Sequence, residues 1–217
     1  MNDYALARRN MIEGQLRPNR VDDPRVVAAF EAVPRELFLP KKLQPVAYND
    51  EDVRLGGGRH LIEPLALARM VQYGGARPDD VALVLGCDTG YAAAILARLV
   101  ATVFLVVDDE SARAAAEGLL EGLEVGNVVV QIADPRGGLK EQGPFDLILL
   151  AGSVPEVPED LLGQLEEGGR LVAVVQPHRL GRITIVTKVG AGFGRQTPFD
   201  AAIPAMPQFC REPGFVF

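Results

Sequence analysis

From Val81 onward, short continuous apolar runs alternate with segments that read as helices, and this alternation limits the possible folds more than any other feature. The runs are "VALVLG" at 81–86, "TVFLVVDD" at 102–109, "NVVVQIAD" at 127–134, "FDLILLAG" at 145–152 and "RLVAVVQ" at 170–176. An unbroken apolar run of this length is expected of a strand buried on both faces. Between them lie "YAAAILARLV", "SARAAAEGLLEGL" and "PEDLLGQLEEGG", the last a short helix ending in glycines. "RITIVTKV" at 182–189 alternates apolar and polar residues, as an antiparallel strand does. The proline-rich tail from Phe193 has room for one last strand. Strand–helix repetition of this kind predicts an α/β fold, with a mostly parallel sheet and helices on both faces.

The first third reads differently. Tyr4 to Leu16 has a loose helical pattern. Asp22-Asp23-Pro24 marks a helix start, an acidic cap before a proline in the first turn. "VPRELFLPKKLQPVAYND" holds three prolines and reads as irregular or short-helical. "GGGRHLIEP" reads as a flexible loop ended by Pro64, and Leu65 to Gln72 as a helix. The expected organisation is an N-terminal helical portion at 1–78 and an α/β portion at 79–217, packed as one unit.

Composition excludes several function classes. A net charge of −7 repels nucleic-acid backbones. Two cysteines, Cys87 and Cys210, and two histidines, His60 and His178, lack metal-site spacing. The N-terminus has no apolar signal core, and no apolar run approaches the ~20 residues of a membrane span. The expectation is a soluble cytoplasmic protein without metal, nucleic-acid or membrane partners.

Ligands of open α/β sheets bind beyond the carboxyl ends of the strands. Four strand ends carry suitable residues: Gly86-Cys87-Asp88-Thr89-Gly90, then Asp108-Asp109, then Asp134, then Ala151-Gly152-Ser153. Glycines permit close backbone approach to a ligand. A carboxylate about 20 residues past the glycine turn can accept both ribose hydroxyls. Asp134 can accept from an adenine amino group. Each has a plainer use as well: Asp108 or Asp109 can cap the next helix, and Asp134 before Pro135 suits a turn. Their joint placement points to a nucleoside pocket. The G-x-x-x-G frame followed by Tyr91 fits an S-adenosylmethionine loop better than the G-x-G-x-x-G of a dinucleotide loop.

The motifs "MIEGQLRPNRVDDPRVVAAFEAVPRELFLP", "AYND", "GGGRHLIEP", "LGCDTGYAAAILARL", "FDLILLAGSVPEVPEDLLGQLEEGGRLV" and "RITIVTKVGAGFGRQTPF" resemble, in this order, the protein-L-isoaspartate O-methyltransferase family. The resemblance covers most of the chain. It implies a seven-stranded Rossmann-like methyltransferase fold with S-adenosylmethionine as cofactor. It also implies damaged proteins or peptides with isoaspartyl residues as partners, methylated on the abnormal α-carboxylate. Gly86, Gly90, Tyr91, Asp108 and Asp134 match the family pattern. Candidate cofactor contacts are therefore Gly86, Cys87, Asp88, Gly90, Asp108, Asp109 and Asp134.

Four positions depart from the pattern. The family serine expected at the substrate carboxylate falls on Ile62, and its threonine on His60. The acid two residues before the first glycine is Val84, and the middle glycine is Asp88. Losing one hydroxyl at a carboxylate site removes about 1.5–3 kcal/mol. Arg59 or His60 can supply a replacement donor, and Asp88 can replace the missing acid. Two other readings stay open at this level: a non-catalytic relative that binds a protein or peptide, and a methyltransferase for another carboxylate.

Overall fold

The computed structural model describes residues 3–87 and 89–210. Its helices are α1 (Tyr4–Met11), α2 (Pro24–Ala32), α3 (Pro64–Gly74), α4 (Tyr91–Leu96), α5 (Glu110–Gly122) and α6 (Glu159–Leu162). Its strands are β1 (Val53–Gly56), β2 (Arg59–Leu61), β3 (Val81–Leu85), β4 (Thr102–Val107), β5 (Val128–Ile132), β6 (Phe145–Val154), β7 (Leu165–Val175), β8 (Gly181–Val189) and β9 (Gly192–Ala201).

Seven strands form one sheet in the order β5-β4-β3-β6-β7-β8-β9. The pairs from β5 to β7 are parallel, whereas β8 is antiparallel to both β7 and β9. The expected α/β sheet is thus present, with the antiparallel strand at 182–189 and a final strand in the tail. The chain builds outward from β3 through β4 to β5, then returns to the other side of β3 as β6. That reversal opens a crevice at the carboxyl ends of β3 and β6, where α/β proteins bind ligands.

Burial explains the unbroken apolar runs. Leu83, Val84 and Leu85 of β3 and Leu105 of β4 are fully buried. The N-terminal helices share this core: Met11, Phe30 and Leu67 lie in one hydrophobic cluster with Val84, Tyr91 and Ile183. The Asp23 carboxylate accepts from the Arg25 N–H at 2.8 Å, so α2 starts where the Asp-Pro signal places it. No helix among the described residues is long and apolar enough to cross a membrane.

Three local readings differ. "GGGRHLIEP" is half of an antiparallel hairpin, not a flexible loop: β1 pairs with β2, matching Val53 to Leu61. Gly56, Gly57 and Gly58 all have positive φ and make the turn, while Val53 and Leu61 are buried beneath it. The helix read over Tyr4–Leu16 is α-helical only to Met11, and Ile12–Leu16 widens into a π turn that keeps Ile12 and Leu16 in the core. The helix read at 158–169 ends at Leu162, and β7 already begins at Leu165. Gly168, at φ +75°, bends the chain there within a register shift against β6.

Candidate active site

The crevice holds a cavity of about 790 Å³. Gly86 at the end of β3, Asp108 and Asp109 at the end of β4, and Ala151 and Gly152 on β6 all line it. The β1–β2 hairpin closes one side with Leu55, Gly57, Gly58, Arg59 and His60, and Ile62 follows. One cavity therefore receives three strand ends and the hairpin.

Each predicted residue except Asp88 has a definite place. Gly86 takes φ +77°, which its lack of a Cβ permits. The Asp108 carboxylate is exposed at the cavity and accepts from Gln208 Nε2 at 3.0 and 3.2 Å. Asp109 lines the cavity too, but its carboxylate accepts from the Ala112 N–H at 2.8 Å and caps α5, the plainer of its two expected uses.

Cys87 and Gly90 lie beneath the cavity rather than on it. The Cys87 thiol is buried, and its sulfur accepts from the Ala92 N–H at 3.3 Å. Gly90 has φ +80° and faces Ala116 and Leu105. Asp134 is not among the lining residues. Its carboxylate is held by the Arg136 guanidinium at 2.7–3.1 Å, which keeps its pKa below the ordinary value. Asp88 lies outside the described residues.

Val84 is fully buried between Leu105 and Leu149, so valine at this position serves packing. Ile62 is 3% exposed and gives an apolar wall where the family pattern has a hydroxyl. The His60 ring nitrogen Nδ1 lies 3.1 Å from the Gly58 carbonyl, an arrangement that calls for a proton on Nδ1. Arg59 lines this cavity and a second one of about 550 Å³, bounded by Leu37, Phe38, Leu55 and Leu119.

The segment after the β1–β2 hairpin is anchored from below. Arg35, fully buried, donates to the carbonyls of Ala47 and Ile62. Its guanidinium carbon lies 5.1 Å from the Tyr91 ring centroid at the start of α4. Beside it, the Tyr48 hydroxyl donates to the Glu36 carboxylate in a short hydrogen bond. Burial, followed by that bond, pushes the Tyr48 phenol well above its usual range.

The cavity fits S-adenosylmethionine. Its volume is that of an ordinary small-molecule site. Asp108 offers two acceptor oxygens for ribose hydroxyls, and Gly86, Ala112, Ala115, Ala151 and Gly152 keep the walls small.

Residues 7–202 match the family model for protein-L-isoaspartate(D-aspartate) O-methyltransferase. The chain belongs to this family. A protein-L-isoaspartate O-methyltransferase of Koribacter versatilis is 38% identical over 200 residues, covering 92% of this chain and 90% of its own. One from Pelotomaculum thermopropionicum is 35% identical over 187 residues, covering 86% and 82%. Among solved structures, a beta-aspartate methyltransferase from Plasmodium falciparum, in complex with S-adenosyl-L-homocysteine, superposes with a TM-score of 0.79 at 19% identity. It covers 96% of this chain and the whole of that one. The likeness at that identity concerns the fold.

The family-model match stops short of part of the site. The match ends at residue 202, yet Pro204, Ala205, Met206, Pro207 and Gln208 line the cavity. Sequence reasoning missed them. Their composition signals only a proline-rich tail, and nothing local shows that the tail turns back over β3.

Proposed function

We propose that this protein transfers the methyl group of S-adenosylmethionine to the α-carboxylate of isoaspartyl residues in damaged proteins. The observation that carries this reading is the meeting of Gly86, Asp108 and Gly152 with Arg59 and His60 around one cavity, in a chain of this family.

When bound, S-adenosylmethionine supplies a methyl on a positive sulfonium, already activated for transfer. The acceptor carboxylate is ionised near neutral pH, so no general base is needed to create the nucleophile. The chain's task is alignment and exclusion of water. Gly86 lets the backbone approach the cofactor, and Asp108 accepts the ribose hydroxyls. Ala151 keeps the wall beside the reacting centre small.

Ile62 has no hydroxyl for the acceptor carboxylate, so Arg59 takes that role in this proposal. Its guanidinium is charged at all working pH values and pairs with carboxylates through two parallel hydrogen bonds. Its position between the two cavities supports this, since an acceptor peptide must meet the methyl donor at such a junction. His60 lines the same wall, with its Nδ1 proton turned to the Gly58 carbonyl. Asp134, held by Arg136 and away from the cavity lining, takes no part in this reading. The two cysteines are free thiols, which suits a cytoplasmic setting.

The test is transfer of labelled methyl from S-adenosylmethionine to an isoaspartyl peptide and to its normal aspartyl counterpart. Transfer selective for the isoaspartyl form is expected. Equal labelling of both, or of neither, would sink the proposal. Arg59→Gln is expected to raise KM for the peptide about tenfold or more while leaving S-adenosylhomocysteine affinity unchanged.

A further inference from the structure

We propose that Gln208 is a further residue of the cofactor site: its carboxamide competes with the ribose hydroxyls for the Asp108 carboxylate and thereby sets the strength of cofactor binding. The proposal rests on the reading of Asp108 as ribose acceptor.

Gln208 Nε2 lies 3.2 Å from Oδ1 and 3.0 Å from Oδ2 of Asp108. At these distances one N–H of the primary amide points between the two carboxylate oxygens and is shared by both. The two hydroxyls of a vicinal diol engage a carboxylate in the same bridging position, one hydroxyl to each oxygen. Both donors cannot hold that position together. Binding of the ribose therefore requires the carboxamide to leave.

Gln208 is not presented by a loose tail. The Ser153 N–H donates to the Pro204 carbonyl at 2.8 Å, and the Met206 N–H donates to the Ser153 carbonyl at 2.9 Å. The segment thus pairs with the end of β6 as a parallel bridge. Met206 is buried against Gly86 and Gly152: a Cβ on Gly86 would stand 2.6 Å from Met206 Cε, and one on Gly152 would stand 2.5 Å from Met206 Cγ. A short 3-10 turn, Pro207–Phe209, then aims Gln208 at Asp108. With the backbone fixed, rotation of the Gln208 side chain is enough to free the carboxylate. The exchange replaces one charge-assisted contact with another, so its effect on affinity is modest and measurable.

The experiment is a calorimetric titration of S-adenosylhomocysteine into wild type, Gln208→Met, Asp108→Ala and the double variant. Methionine keeps the reach of glutamine without its donor. Gln208→Met is expected to lower Kd about three- to tenfold. Asp108→Ala is expected to raise Kd, and adding Gln208→Met to it is expected to change nothing further. Unchanged or weaker binding by Gln208→Met, with Asp108→Ala still impaired, would overturn the competition but leave the ribose assignment standing. Wild-type affinity in Asp108→Ala would remove the ribose assignment, and the competition with it. Hydrogen exchange at the Ser153 and Met206 amides should stay protected in Gln208→Met. Tighter binding accompanied by lost protection would also overturn the proposal, because the competitor would then be the whole segment.

Discussion

Arg35 donates from Nη2 to the main-chain carbonyl of Ile62 at 2.8 Å, and so holds the segment after the β1–β2 hairpin from inside the protein. Its Nε donates to the Ala47 carbonyl at 2.6 Å, which ties the segment to the turn after "LQPV". Burial pulls the Arg35 guanidinium below its usual pKa, an effect opposed chiefly by Tyr91. The planar fork satisfies two buried carbonyl acceptors. A lysine ammonium has neither the width nor the fixed geometry to serve both. Arg35→Lys is therefore expected to lower the unfolding free energy by about 1–3 kcal/mol, read from urea denaturation. An unchanged midpoint would show that the segment is held by other contacts.

Glu63 gives a pH dependence whose sign can be worked out. Burial, with Asp52 and Asp50 nearby, raises its pKa from 4.5 to about 7. The folded state therefore binds more protons than the unfolded state between those two values. Stability from this group is fully present below about pH 4.5, falls as pH rises, and is lowest above about pH 7. Glu63→Gln removes the penalty. The group is half-exposed, so after allowance for solvent screening the gain at pH 8 is about 1 kcal/mol, fading toward pH 4.5. Denaturation at pH 8 and pH 4.5 checks this, and an equal gain at both would exclude the ionisation as cause.

Arg170 and Asp80 form a buried pair at 2.7 Å, with side chains 9% and 3% exposed. Arg170 also donates to the carbonyls of Gly74, Gly75 and Asp146, joining the end of α3 to the sheet. Arg170→Met leaves the Asp80 charge buried without its cation. The expected loss is about 3–5 kcal/mol of stability. Asp80→Asn in the same chain removes that charge and should recover part of it. A double variant as unstable as the sum of the two singles would show that the pair is not coupled.

Gly152 is set by its neighbour. An added Cβ would meet Met206 Cγ at 2.5 Å and the Pro204 carbonyl at 3.4 Å. Gly152→Ala is expected to cost about 1–3 kcal/mol as an overpacked site. Met206→Ala in that background opens the space and should restore part of the loss. If thermal denaturation shows no such recovery, the clash lies elsewhere.

Most of the scaffold is determined by local sequence. "VALVLG", "TVFLVVDD" and "FDLILLAG" read as strands buried on both faces because short continuous apolar runs alternate here with helical segments. Gly86 and Asp108 follow from position, since the carboxyl ends of the strands beside the reversal of strand order open toward the ligand crevice. The hairpin at Val53–Leu61 was not legible: three glycines signal freedom, while the buried Val53–Leu61 pair that orders them depends on the core beneath. Asp109 and Asp134 show the same limit. Their sequence places them at strand ends, but whether each carboxylate faces the cavity, a helix N–H or Arg136 is decided by competition among nearby donors. The largest tertiary decision concerns Met206 and Gln208. They lie 120 and 100 residues from Gly86 and Asp108, and only the closed fold brings them into contact. Short-range periodicity records which face of an element is buried; contacts across such separations depend on how the completed sheet directs its last segment.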